Sequence, residues 1–243
     1  MQRRRFGIAV VASAFVAAML GGSADATTSH LLALYTFNGT LADASGHNRT
    51  AHDTGTPAYV KGAPFGGKAI VFGSGNAIVL APLNISPAAR PRLTMGAWVN
   101  ATSDATPQYG IISNDDNNYD RTLGIDSRPA TSGVVWSAFV GGSVIGSVPV
   151  VTKKWYFVAI SYDQSTPPGK YAFYVNDGST TTTLTGVDNF DADSHLDAVD
   201  IGRNPSFDSS FNGKVANAFF YAGILTKSQI ASIIAHGPSA IPR

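Results

Sequence analysis

Residues 154–177 read KWYFVAISYDQSTPPGKYAFYVND, and their pattern decides the fold. Two aromatic-rich runs flank a Pro-Pro-Gly turn, which predicts an antiparallel hairpin. Successive strand residues point to opposite faces, so Trp155, Phe157 and Ala159 share one face and Tyr156, Val158, Ile160 and Tyr162 the other. A sheet with one wet face would carry a polar residue at every second position. Here both faces are apolar and each needs a cover, as in a two-layer sandwich with a lined concave side. That scaffold suits holding a ligand better than transforming one.

Similar runs recur outward from the hairpin. Strands are predicted near 31–38, 68–72, 76–80, 93–100, 109–113, 121–126, 132–140, 143–148, 179–187, 197–203 and 211–222, beside the two at 154–163 and 169–176. Turn residues fill the gaps, for example GSGN at 73–76 and NDGS at 176–179. No helical periodicity intervenes, so the expected class is an all-β, two-sheet antiparallel sandwich. One short helix closes the chain. Thr226 and Gln229 have capping-box spacing, Ile230, Ile233 and Ile234 form an apolar stripe, and Gly237-Pro238 supplies the stop.

The N-terminus predicts export. Arg3, Arg4 and Arg5 precede the apolar run Phe6 to Leu20, and Ala24-Asp25-Ala26 is a small-x-small cleavage site. The run is shorter than the roughly 20 residues a membrane-spanning helix needs. A signal peptide over residues 1–26, one domain over 27–243, and a secreted mature chain without membrane insertion are therefore expected. Cleavage after Ala26 removes three arginines and one aspartate, taking the formal net charge from +1 to −1. Neither that balance nor any Lys/Arg cluster suggests a nucleic-acid partner. The chain has no cysteine, so its stability must come from the core without cross-links.

Five segments in order resemble the LamG-like jelly-roll domains of the concanavalin A-like lectin/glucanase superfamily. They are LYTFNGTLADASGHNRTA at 34–51, GKAIVFGSGNAIVL at 67–80, LTMGAWVNA at 93–101, the hairpin, and IGRNPSFDSSFNGKVANAFFYAGILTKSQIASI at 201–233. The resemblance implies one convex and one concave sheet with loops at the rim. It also implies a structural calcium site. Gly213-Lys214-Val215-Ala216-Asn217 carries alanine where relatives commonly place an aspartate, which puts that site in doubt. Asp43 and Asn38, with backbone carbonyls, remain as a reduced calcium site. The alternative for Asp43-Ala44-Ser45-Gly46 is a plain Asx turn.

Chemistry is constrained by an absence: every acidic residue is aspartate, and the chain contains no glutamate. Paired glutamates of the glycan hydrolases with this fold are thus impossible, although glycoside cleavage needs two facing carboxyls. The aspartate pair Asp197 and Asp200 has a spacing that turns the two to opposite faces of a strand. His30, His47, His52, His195 and His236 fall at a terminus or in predicted loops and turns, not beside an arginine on an aromatic strand as a jelly-roll lyase would require. No catalytic residue is assigned.

The candidate ligand residues are Asn114, Asp115, Asp116, Asn117, Tyr119, Asp120 and Arg121, with Phe207 from a second loop. Amides and carboxylates beside an aromatic ring are the groups that recognise sugar hydroxyls and the apolar sugar face. The competing interpretation is a solvated loop in which Asp120 and Arg121 pair locally. The leading expectation is a secreted, non-catalytic binding domain for a glycan or extracellular polymer. Its alternatives are a structural or adhesion-type domain binding a surface protein, and, third, a polysaccharide-active enzyme. No cofactor other than calcium is implied.

Overall fold

The computed structural model describes residues 29–73, 75–80, 83–105, 108–115, 120–188, 199–205 and 209–243. The expected signal peptide, Asp116, Asn117, Tyr119, Asp197 and Phe207 lie outside the described residues.

The hairpin forms as its pattern requires. Strands β11 (Tyr156–Asp163) and β12 (Gly169–Asn176) pair antiparallel from Phe157 opposite Asn176 to Asp163 opposite Lys170. β11 pairs on its other side with β6 (Arg92–Ala101), which pairs in turn with β17 (Gly213–Ala222). The free edge of β17 is shared between β4 (Lys68–Phe72) and β1 (His30–Tyr35). β13 (Thr181–Asp188) closes one side of this eight-stranded sheet and β3 (Ala58–Lys61) the other.

The second sheet runs through β10 (Ser143–Pro149), β9 (Val135–Val140), β8 (Thr122–Asp126), β7 (Gln108–Ser113), β14 (Val199–Ile201), β5 (Ile78–Leu80) and β2 (Ala51–Asp53). Two short strands, β15 (Arg203–Asn204) and β16 (Ser209–Ser210), fold against β7.

The two apolar faces of β11 are covered as predicted. Tyr156, Val158, Ile160 and Tyr162 join Leu123, Ile125, Trp136 and Ala138 in the core between the sheets. Phe157 and Ala159 join a second cluster on the outer face, with Trp98, Phe219 and the helix residues Ile230 and Ile233. Phe157 lies 4.8 Å from Trp98 between ring centroids and stacks on Phe219 at 6.3 Å. Burial of each such side chain contributes about 1.5–3 kcal/mol. Gly96 makes room for this packing, since a Cβ there would stand 2.7 Å from that of Ala159 and 2.9 Å from the Phe219 ring.

The outer cover is α1 (Lys227–His236). Thr226 caps it: its hydroxyl accepts from Gln229 N, and Gln229 Oε1 accepts from Thr226 N at 2.8 Å. Gly237 ends it at a φ of 77°. Ala216 is fully buried in the outer cluster, so the position where relatives commonly place an aspartate serves packing here.

Several boundaries differ from expectation. β1 stops at Tyr35 because the chain turns at Phe37, whose φ is 56°. β2, β3, β15 and β16 were not predicted; they are two to four residues long, too short for an alternation to register.

Candidate functional site

The outer face of the nine-stranded sheet is polar where the outer face of the other sheet is aromatic. In β8, Leu123 and Ile125 enter the core, which turns Thr122, Gly124 and Asp126 outward. In β9, Trp136 and Ala138 enter the core and turn Ser137 and Phe139 outward. Register aligns these residues across strands: Gln108 faces Asp126, Gly110 faces Gly124, Gly124 faces Ser137, and Ser113 faces Thr122. The result is a small, partly enclosed cleft with a floor of Gly110, Gly124 and Ser137, walled by Gln108, Thr122, Ile125, Asp126, Phe139 and Asn204, all of them buried except the half-buried Gln108.

Backbone of β15 forms one wall of the cleft. A Cβ on Gly110 would stand 2.5 Å from Asn204 N, so only glycine lets that strand approach β7 so closely. Asn204 then donates from Nδ2 to Asp115 Oδ2 at 2.7 Å. Asp115 N donates to Ser113 Oγ at 3.1 Å, and Ser113 Oγ meets Thr122 Oγ1 at 2.6 Å.

Two aspartate–arginine pairs flank this chain. Arg128 grips Asp126 through Nε, 3.0 Å from each carboxylate oxygen, and through Nη2 at 2.6 Å; its guanidinium also lies 5.3 Å from the Phe139 ring centroid. Arg203 Nη2 stands 2.7 Å from Asp200 Oδ2, and its Nε donates there at 2.8 Å. Burial pushes the Asp200 carboxyl up, and Arg203 offsets part of that rise.

A second cleft adjoins the first and shares Phe139 with it. Asp120, Arg121, Tyr162, Gln164 and Asp188 line it, with Pro87 and Gly141. Arg121 is buried, and its guanidinium donates to Ile85 O, Arg90 O and Gln164 Oε1, each at 2.6 Å. Its guanidinium carbon also lies 5.0 Å from the Tyr162 ring centroid. Burial lowers its pKa to about 10, against the opposing pull of Tyr162 and Asp188, so it remains charged at neutral pH. Burial also raises Tyr162, and its protonated hydroxyl donates to Phe139 O at 2.9 Å, bridging the sheets.

The described members of the predicted 113–121 cluster are therefore buried rather than solvated: Asn114 and Asp115 are 0% exposed, Asp120 6% and Arg121 2%. The side chain of Asn114 has neither amide atom hydrogen-bonded. Asp115 belongs to the first cleft's polar chain, and Asp120 and Arg121 to the second cleft. The sequence missed Gln108, Asp126, Ser137, Phe139, Gln164, Asp188 and Asn204. A signal existed only in 122–126, where small or polar residues alternate with Leu123 and Ile125.

The two calcium candidates have other engagements. Asp43 Oδ1 accepts from Leu34 N and Ser45 N, and its Oδ2 accepts from Ser45 Oγ and Arg49 N, at 2.8–3.1 Å. Burial opposes the charged form, but these bonds prevail and hold the carboxyl below its usual range. Asn38 Oδ1 accepts from Lys68 N at 3.1 Å, a different turn. Among the described residues, no group of three or more His, Cys, Asp or Glu side chains could hold a metal ion. No described helix is long and apolar enough to cross a membrane.

Among solved structures, domain 4 of AbnA, a GH43 extracellular arabinanase from Geobacillus stearothermophilus, was determined in complex with arabinotriose. It superposes with a TM-score of 0.61 at 19% identity, over 88% of this chain and 98% of that one. The binding domain of botulinum neurotoxin DC in complex with SialylT gives a TM-score of 0.60 at 18% identity, over 84% of this chain and 50% of that one. The same toxin's binding domain with rat synaptotagmin II gives 0.61 at 19% identity, over 84% and 51%. The chain thus spans about half the length of these toxin domains. No curated protein matches the chain. Residues 72–231 match the family model Laminin_G_3, and the chain belongs to the concanavalin A-like lectin/glucanases superfamily.

Proposed function

We propose that the chain is a secreted, non-catalytic carbohydrate-binding domain that holds a glycan in the cleft on the outer face of its nine-stranded sheet. The observation that carries this is the polar lining above the Gly110, Gly124 and Ser137 floor. Asp126, held by Arg128, and Asn204, held by Asp115 behind it, line the cleft, so a planar acceptor and a planar donor stand at set positions before any ligand arrives. Prior fixation lowers the entropic cost of binding, and amides and carboxylates match the donor and acceptor pattern of sugar hydroxyls. Support also comes from the arabinotriose and SialylT complexes of the structural relatives.

Asp120 and Asp188 line one cleft, but Arg121 and the raised Tyr162 share it. Glycoside cleavage needs two carboxyls facing one scissile bond, and the Arg121 guanidinium shares the cleft with this pair. Affinity electrophoresis through gels containing arabinan, xylan, galactan or β-glucan tests binding, and a reducing-end assay on the same polymers tests turnover. Retardation by at least one polymer without new reducing ends is the expected result. Free migration in every gel contradicts the binding function, and release of reducing ends contradicts the non-catalytic one. Synaptotagmin in one related complex gives the competing function, a protein ligand, its motivation.

A further inference from the structure

The two clefts meet on one residue. Phe139 lines both, and Thr122 of the first cleft follows directly on Asp120 and Arg121 of the second. Each has about 240 Å³ of empty space, under the roughly 300–1,000 Å³ of an ordinary small-molecule site. Neither therefore holds more than a single sugar residue. Side by side they offer room for two linked ones.

The lining of the second cleft says what it would take. Arg121, 2% exposed, is fixed by Ile85 O, Arg90 O and Gln164 Oε1, yet its Nε is buried with no hydrogen-bond partner among the described residues. A buried donor left unbonded costs about 1–3 kcal/mol, which a ligand oxygen would relieve. Asp120 and Asp188 bring carboxyl groups to the same cleft. The group that accepts from a guanidinium and donates to a carboxyl is a hydroxyl. An anionic sugar would instead meet two carboxyl groups, and an amino sugar the guanidinium.

We propose that the second cleft is a second sugar subsite, so that the two clefts together take a neutral disaccharide unit across Phe139. This inference rests on the glycan-binding function proposed above and names its ligand class: uncharged, and at least two residues long. The Phe139 ring offers apolar surface to either residue.

Gly141 gives the subsite a variant that leaves the fold intact. It lines the second cleft, and with Gly142 it forms the two-residue turn between β9 and β10, at φ of 50° and 79°. Positive φ at both positions marks a type I′ turn, for which Asn-Gly is a favoured pair. Gly141→Asn therefore adds a side chain at the cleft in a turn that accepts it.

Calorimetric titration with matched sugars tests the proposal: arabinose against arabinobiose, xylose against xylobiose, galactose against galactobiose, and glucose against cellobiose. Digalacturonate and the glucosamine dimer serve as charged probes. For at least one neutral pair, wild type should bind the disaccharide about tenfold or more tighter than the monosaccharide, and tighter than either charged probe. Ser137→Ala, in the first cleft, should weaken both sugars and keep that ratio. Asp120→Asn and Gly141→Asn, in the second, should each bring the ratio close to one. A ratio near one in wild type, a ratio that survives either second-cleft variant, or tighter binding of a charged probe would overturn this inference alone. No heat from any sugar would overturn the proposed function and this inference with it.

Discussion

Asn204 and Asp115, 89 positions apart in sequence, meet through a buried 2.7 Å hydrogen bond that ties the loop after β7 to β15. That bond holds the wall of the cleft over Gly110 and fixes the orientation of a carboxylate beside it. The fold at this wall and the proposed recognition therefore depend on the same contact.

Replacing Asn204 by alanine removes a donor from a buried carboxylate, a loss worth about 1–3 kcal/mol. The melting temperature should fall by several degrees, and ligand affinity should fall with it. Thermal denaturation checks the first effect. Ser137→Ala separates the second, since it changes the cleft floor with little cost to the fold.

Arg121 answers to three acceptors on separate segments: Ile85 O, Arg90 O and Gln164 Oε1. Arg121→Met leaves them unsatisfied and should destabilise the domain by about 3–5 kcal/mol. Arg121→Lys should recover little, because an ammonium cannot reproduce the planar fork. Urea denaturation of both variants measures this.

Asp43 has a folded-state carboxyl pKa below its ordinary value, so its stabilisation is present above the unfolded value near 4 and is lost as pH falls through the folded one. Stability should therefore drop on acidification below about pH 4, and Asp43→Asn should flatten that limb. Its oxygens are already filled by four protein donors. The loss caused by Asp43→Ala should accordingly be the same with calcium as with a chelator.

Thr226→Ala removes the hydroxyl that accepts from Gln229 N, leaving only the backbone N–H to Gln229 Oε1 half of the capping box, and should cost about 1 kcal/mol. Because α1 covers Phe157 and Trp98, partial fraying should also raise tryptophan exposure, which fluorescence quenching reads.

The fold was legible because its signals are local. The alternation of 154–177 names two buried faces, and Thr226 with Gln229 names a helix start; both depend on neighbours within a few residues. β2 and β3 escaped because three or four residues such as Ala51–Asp53 or Ala58–Lys61 carry no measurable period. The site was legible only in part. Asp115, Asp120 and Arg121 stood out as a polar run, yet their burial depends on Asn204, Gln164 and Asp188, which arrive from distant strands. Gln108, Asp126 and Ser137 become one surface only through cross-strand register, a relation no single segment contains.

The most direct test of the cleft as a glycan site is calorimetric titration of wild type and Ser137→Ala with neutral oligosaccharides drawn from whichever polymer retards the protein in gels. A saturable heat for wild type that weakens by about tenfold or more in the variant, roughly 1.4 kcal/mol, is the predicted result. Equal affinity in both proteins would place the ligand elsewhere, and no heat at all would contradict glycan binding itself.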